Sequence, residues 1–367
     1  MVHPENDEAY KGLKVNDGVE RLSSVNPYLS KMRVKRAAPL SVDDYVQGIL
    51  RGDVTVLSRA VTLVESLLPE HQAVAQEIVE KLLPYSGKSL RVGITGVPGA
   101  GKSTSIDAFG MHILQERGGK LAVLAVDPSS ERSKGSILGD KTRMERLSVH
   151  PDAFIRPSAS AGSLGGVARK TRETIILCEA AGYDTVFVET VGVGQSETAV
   201  YSMVDFFLLI QIAGAGDELQ GIKRGIMEMA DAIVINKADG ANLEEAQRAA
   251  AHYRNALQLF PMPQSGIRPQ VLTYSGFYDI GIKEVWDMIF DFVAKVKANG
   301  SFDERRSNQS KYWMYETINE QLYKRFYQAD GIEEMLARYE KEILAGRITS
   351  FAAAGKLLDF YDAEKNR

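Results

Sequence analysis

The chain has one cysteine, Cys178, among its 367 residues. No disulfide framework can form within it, which fits a reducing compartment. Cys178 sits in the apolar helical run Ile175-Ile176-Leu177-Cys178 with no base beside it, so core packing is expected rather than nucleophilic chemistry. The five histidines, His3, His71, His112, His150 and His252, are scattered, and no Cys/His cluster suggests zinc. No apolar run approaches the length of a membrane span. The stretch from Met1 to Glu20 is polar and carries several acids, so it reads neither as a signal peptide nor as an Arg-rich transit peptide. Large charge of one sign is missing too: the formal net charge is −4, and nothing argues for nucleic acid or a membrane surface as partner. A cytoplasmic protein is expected. Internal repeats and low-complexity tracts are also absent, while 44% apolar and 25% charged residues are ordinary for a soluble globular chain.

What the chain does have is Gly96-Val97-Pro98-Gly99-Ala100-Gly101-Lys102-Ser103-Thr104, a G-x-x-x-x-G-K-S phosphate loop. The apolar run Arg91 to Thr95 leads in as a buried strand, and a helical pattern from Ser105 to Arg117 leads out. Glycines let successive backbone N–H groups curl toward a phosphate, and the following helix adds its positive dipole end. Lys102 is placed to reach β- and γ-phosphates and Ser103 to hold Mg²⁺.

Around this loop the pattern alternates. Strands are expected at 91–95, 121–126, 153–156, 184–189, 205–212, 231–235 and 270–274, several of them near-continuous apolar runs such as Leu121 to Val126. Strands buried on both faces read this way. With helices between them they imply an α/β fold, a P-loop NTPase with a mostly parallel sheet flanked by helices. Ligands then bind beyond the carboxyl ends of the strands. Helical patterns over 45–51, 55–68 and 71–83 form an N-terminal extension, with Ser41-Val42-Asp43-Asp44 reading as an N-cap and an acidic first turn. Helical patterns over 310–326, 332–344 and 349–361 form a C-terminal one. The expected divisions are a flexible arm at 1–38, a helical extension at 39–88, the nucleotide domain at 89–300 and a helical tail at 301–367.

The strand 231–235 runs into Asn236-Lys237-Ala238-Asp239, an N-K-x-D sequence. A carboxylate at Asp239 accepts from two parallel donors, which guanine offers at N1–H and N2–H₂. Adenine presents an acceptor at N1 and would leave the carboxylate unsatisfied, at a cost of about 1–3 kcal/mol or more. GTP and GDP are therefore the expected ligands, with Lys237 packed along the base. Ser275, Gly276 and Phe277, after the last strand, are expected on the base side, with the Ser275 and Gly276 N–H groups facing guanine O6. On the metal side stand Asp127 and Glu189 at strand ends and Asp140 in a loop, where an exposed structural acid is an equal reading. In Glu189-Thr190-Val191-Gly192-Val193-Gly194-Gln195, Gly192 suits a γ-phosphate sensor, whereas Gln195 stands three residues after Gly192 rather than adjacent. Gly214 to Gly225 reads either as a helix start or as a mobile switch carrying Gln220, Lys223 or Arg224.

Taken together, Gly96–Thr104, Asp127–Ser130, Ser136–Met144, Glu189–Glu197, Gly214–Gly225 and Asn236–Asp239 resemble the methylmalonyl-CoA mutase-associated GTPase family of the MeaB and ArgK type, some of whose members are called LAO/AO transport kinases. The resemblance runs from about residue 40 to the C-terminus. It implies a homodimeric P-loop GTPase of the SIMIBI class, with Lys102, Ser103, Asp127 and Glu189 at phosphate and Mg²⁺ positions and Asp140 as a further acid. It places Gln220 and Lys223 at third-switch positions that support hydrolysis. The implied partner is an adenosylcobalamin-dependent acyl-CoA mutase, whose cofactor loading and protection such proteins gate. The segment Tyr274-Ser275-Gly276 departs from the Ser-Ala form common in GTPases. Two alternatives have less in the sequence: a transport-associated kinase, for which no acceptor-activating base is evident, and a metallocentre-assembly GTPase, for which His-rich and Cys-x-x-Cys segments are missing.

Overall fold

The computed structural model describes residues 40–126, 143–157, 164–190, 196–214 and 224–365. Ser41–Arg367 forms one compact unit. It begins with three helices: α1 (Val42–Leu50), α2 (Val54–Glu65) and α3 (Pro69–Leu82). Ser41 and Asp44 close a capping box on α1: the Asp44 N–H donates to Ser41 Oγ at 3.2 Å, and the Ser41 N–H donates to Asp44 Oδ2 at 3.0 Å. Helix α2 ends three residues before the sequence pattern does: Ser66 already takes an extended backbone, and Leu68, before Pro69, is extended too. Pro69 then starts α3 at its first position, where a missing N–H costs nothing.

The central sheet is seven-stranded with the order β3-β2-β4-β1-β5-β6-β7, every neighbouring pair parallel. Its strands are β1 (Leu90–Gly96), β2 (Leu121–Val126), β3 (Ala153–Pro157), β4 (Thr185–Thr190), β5 (Phe206–Ile212), β6 (Ala232–Asn236) and β7 (Gln270–Thr273). All seven fall where the apolar runs predict them. The crossover helices include α4 (Lys102–Arg117), α5 (Leu164–Ala180), α6 (Ser196–Tyr201), α7 (Arg224–Met229) and α8 (Leu243–Gln258), and α9 (Ile282–Ala298) follows the last strand. Side chains alternate across the strands. Leu208, Ile210 and Val234 pack with Ile106, Phe109, Trp286 and Phe292 of α4 and α9 on one face. Leu209, Ile233 and Ile235 pack with Ala246, Ala250 and Tyr253 of α8 on the other. Cys178 is fully buried in α5, and burial raises its thiol pKa, as a packing role requires.

The tail is α10 (Ser301–Tyr327), α11 (Ile332–Leu344) and α12 (Ser350–Lys365). Helix α10 begins nine residues before the expected Ser310, because Gly300 takes the left-handed conformation (φ 81°) and Asp303 and Glu304 face the positive end of the helix. Its first turns are fastened to the amino edge of the sheet. Arg306 Nη2 meets Asp205 Oδ2 at 2.7 Å, Arg305 Nη1 meets Asp231 Oδ2 at 2.8 Å, and Trp313 Nε1 donates to the Ser202 carbonyl at 2.9 Å. The outer end folds on itself, with Ile332, Tyr339, Ala353 and Leu357 forming a separate small core. No helix among the described residues is long and apolar enough to cross a membrane.

Candidate nucleotide-binding site

The carboxyl edge of the sheet gathers the predicted motifs. The loop 97–101 leaves β1, and α4 begins at Lys102. Gly101 precedes the helix with φ 84°, and a Cβ there would stand 2.7 Å from Asn236 Nδ2. At Gly96 a Cβ would collide with the Ile210 carbonyl of β5. Both glycines are thus required by close approach of neighbouring strands. The Ser105 N–H and Oγ both donate to the Gly101 carbonyl, at 2.9 and 2.8 Å, fixing the first helical turn. The α4 amino end, with its unpaired N–H groups, faces this loop.

The phosphate side is built from Lys102, Ser103 and Glu189. Lys102 Nζ donates to the Gly96 carbonyl at 2.9 Å and lies 3.4 Å from that of Val97, so the ammonium is held across the loop. Burial lowers its pKa, and the charges of Glu189 and Glu197 pull the other way. Glu189 is buried at the end of β4, opposite Ile94 of β1, and its Oε1 stands 3.4 Å from Ser103 Oγ. Thr190 Oγ1 donates to Thr95 Oγ1 at 2.8 Å and pins the two strand ends together. A hydroxyl and a carboxylate oxygen side by side form a hard-oxygen donor pair of the kind Mg²⁺ takes. Glu197, buried on α6, belongs to this group although sequence reasoning passed over it; its place in the Glu189–Glu197 run was the available signal. No cluster of three or more metal-ligating side chains forms among the described residues. Asp127, Asp140, Gly192, Gln195, Gln220 and Lys223 lie outside the described residues.

On the side expected to face the base lies a cavity of about 350 Å³ lined by Gly101, Thr104, Asn236, Lys237, Asp239, Ser275, Phe277 and Tyr278. Its floor is organised by Asn236, which is buried and makes full use of its carboxamide. Nδ2 donates to the Ala100 carbonyl (2.7 Å) and to Ser105 Oγ (3.3 Å), and Oδ1 accepts from the Lys237 N–H (2.8 Å) and the Gly276 N–H (3.0 Å). Asn236 therefore ties the phosphate loop to the base loop and is a positioning residue. Lys237 takes φ 60°, a strained conformation for a side chain of its type, held by its own N–H bond and by Asn242 Nδ2 donating to its carbonyl at 2.7 Å. That kink leaves Lys237 exposed and Asp239 half-exposed at the cavity.

One expectation fares differently. The Gly276 N–H is engaged by Asn236 Oδ1, and the Ser275 N–H donates to the Ile280 carbonyl at 2.9 Å. Both amides are thus engaged within the protein: that of Ser275 in the antiparallel bridge to Ile280, and that of Gly276 by the Asn236 side chain. Tyr274, the residue that departs from the small-residue pattern, is buried and exchanges a 2.6 Å hydrogen bond with Ser105 Oγ while stacking on Phe109. The larger side chain thus serves as a brace between the base loop and α4.

The family model described as methylmalonyl-CoA mutase-associated GTPase MeaB matches residues 57–331. The chain belongs to this MeaB family. GTPase ArgK of Escherichia coli is 47% identical over 82% of the chain and 89% of its own length. The mitochondrial methylmalonic aciduria type A homolog of Mus musculus is 45% identical over 86% of the chain and 79% of its own length. A solved LAO/AO transport system kinase superimposes with a TM-score of 0.70 at 38% identity, covering 88% of this chain and 97% of that one. The MeaB assignment settles what the P-loop and the parallel sheet serve: the chain is a GTPase. In this MeaB-family GTPase the matched region begins inside α2, at Leu57, and takes in α3 to α10 whole.

Proposed function

We propose that this GTPase is a GTP-switched chaperone of an adenosylcobalamin-dependent acyl-CoA mutase such as methylmalonyl-CoA mutase, gating the loading and protection of its cofactor. The observation that carries this is the family match over residues 57–331, whose description couples GTPase to that mutase. Within the site, Lys102 supplies the charge for the β- and γ-phosphates and the α4 N–H groups supply the cradle. Ser103 and Glu189 would hold Mg²⁺, with Asp127 and Asp140 as further acids; the ion, when bound, neutralises charge on the phosphate oxygens. Asp239 and Lys237 read guanine, and Gly192, Gln220 and Lys223 supply the sensing and hydrolytic elements. Slow intrinsic hydrolysis is expected, and a partner that completes the charge clamp on the phosphates would accelerate it by about 10³–10⁵ as in comparable systems.

A second copy of the chain is the expected partner of α10. Tyr315, Ile318 and Leu322 recur at helical spacing and are 61, 46 and 54% exposed. A homodimer through the C-terminal helices covers that stripe. The experiment for the chaperone reading is co-precipitation with purified mutase in GDP and in a non-hydrolysable GTP analogue. Nucleotide-dependent association is expected, and association indifferent to nucleotide, or none, contradicts it. Transfer of labelled γ-phosphate to a protein instead of release as free phosphate would favour the kinase reading.

A further inference from the structure

The outer wall of the base cavity is carried by a short turn, residues 276–279, between Ser275 and Ile280, whose backbones bond reciprocally at 2.9 and 3.0 Å. Phe277 and Tyr278 at its tip meet edge-to-face with centroids 4.9 Å apart, and both line the cavity. They are 78 and 61% exposed, so packing beneath them does not hold them. Asp279 closes the turn with φ 54°, a conformation costly for a residue with a side chain. Something outside the turn has to keep it in place.

Arg146 does so. Its Nη1 and Nη2 make a paired contact with Asp279 Oδ2 and Oδ1, at 2.7 and 3.1 Å. Its Nε donates to Asp107 Oδ2 at 2.6 Å, and its backbone N–H and that of Leu147 donate to Asp107 Oδ1 at 3.1 and 2.9 Å. Asp107 is buried on α4, five residues after Lys102, so the anchor is the phosphate-loop helix itself. A planar guanidinium suits this double duty because its donors are fixed in one plane. The Arg146 side chain is 43% exposed and that of Asp279 50%, so the pair contributes little to global stability. Its effect falls on the position of the turn.

We propose that Arg146 is a specificity-determining positioning residue: by clamping Asp279 to Asp107 it sets the Phe277–Tyr278 wall against the base and so sharpens the preference for guanine. This rests on the base-cavity reading above.

The test is calorimetric titration of GDP and ADP, each with magnesium, into wild type, R146A, D279A and the double variant. D279A leaves Asp107 paired with Arg146 and guards against a folding defect. Each single variant is expected to weaken GDP about tenfold, roughly 1.4 kcal/mol, while ADP changes less than about twofold, and the double variant is no weaker than R146A. Additive losses, an unchanged GDP affinity, or equal weakening of GDP and ADP with a lowered melting temperature would overturn the clamp. A wild type that binds GDP and ADP alike would instead sink the base-cavity reading on which it rests.

Discussion

At the residue scale the site depends on a few side chains with unequal duties. Asn236 is the structural knot, and Asp239 is the proposed reader of the base. Asn236→Ala would leave the Gly276 N–H and the Ala100 carbonyl without their partner, at about 1–3 kcal/mol for each group kept from water. It should lower both the melting temperature and the affinity for every nucleotide, measured by thermal unfolding and titration. Asp239→Asn should leave the fold and the phosphate grip intact and narrow the gap between GTP and ATP by at least about tenfold. Unchanged discrimination in that variant would refute the reader role. The spacing of N-K-x-D in the sequence marks both residues and cannot separate them, since only the packing shows that the asparagine faces inward. Arg146 is illegible for a related reason: its partner Asp279 lies 133 residues away, and no local pattern announces such a pair.

At the element scale the strands were the legible part. Runs such as Leu121 to Val126 and Phe206 to Ile210 are apolar throughout because helices cover both faces of the sheet, and that burial is written in composition. Helix ends were less so, as the early start of α10 at Gly300 shows. The amino ends of the strands carry charge, and there a stability prediction arises. Glu179 on α5 accepts from Arg91 Nε at 2.8 Å and Nη2 at 3.0 Å, from Ser89 Oγ at 2.5 Å and from the Gly87 N–H at 2.6 Å. Burial pushes its pKa up, but these donors outweigh burial and hold it below the ordinary 4.5. On acidification the unfolded chain therefore takes up the proton first. The stabilisation is complete at neutral pH and is lost as pH falls below about 4.5 and through the folded value. The melting temperature of wild type should exceed that of Glu179→Gln most near neutral pH, and the gap should shrink toward about pH 4. A gap that stays constant with pH contradicts this account.

At the scale of the whole molecule, two helical additions flank one nucleotide domain, and they dock differently. Helices α1–α3 bury Leu57, Val61, Val64 and Ile78, whereas α10 beyond Trp313 turns Tyr315, Ile318 and Leu322 outward. If a second copy covers that stripe, Ile318→Glu with Leu322→Glu should shift the protein to monomer in sedimentation or light scattering, while GDP affinity, which lies at the opposite edge of the sheet, is retained. A dimer unchanged by the pair of charges would place the interface elsewhere.

In the proposed function, the carboxyl edge of this sheet grips a triphosphate through Lys102 and selects the purine through Asp239. Calorimetric titration of the full chain with GTP and, separately, with ATP, both with magnesium, addresses it most directly. Saturable one-to-one binding of GTP is expected, with ATP weaker by at least about a hundredfold (~2.7 kcal/mol); no heat with GTP, or equal affinity for ATP, would rule out this pocket as a guanine-nucleotide site.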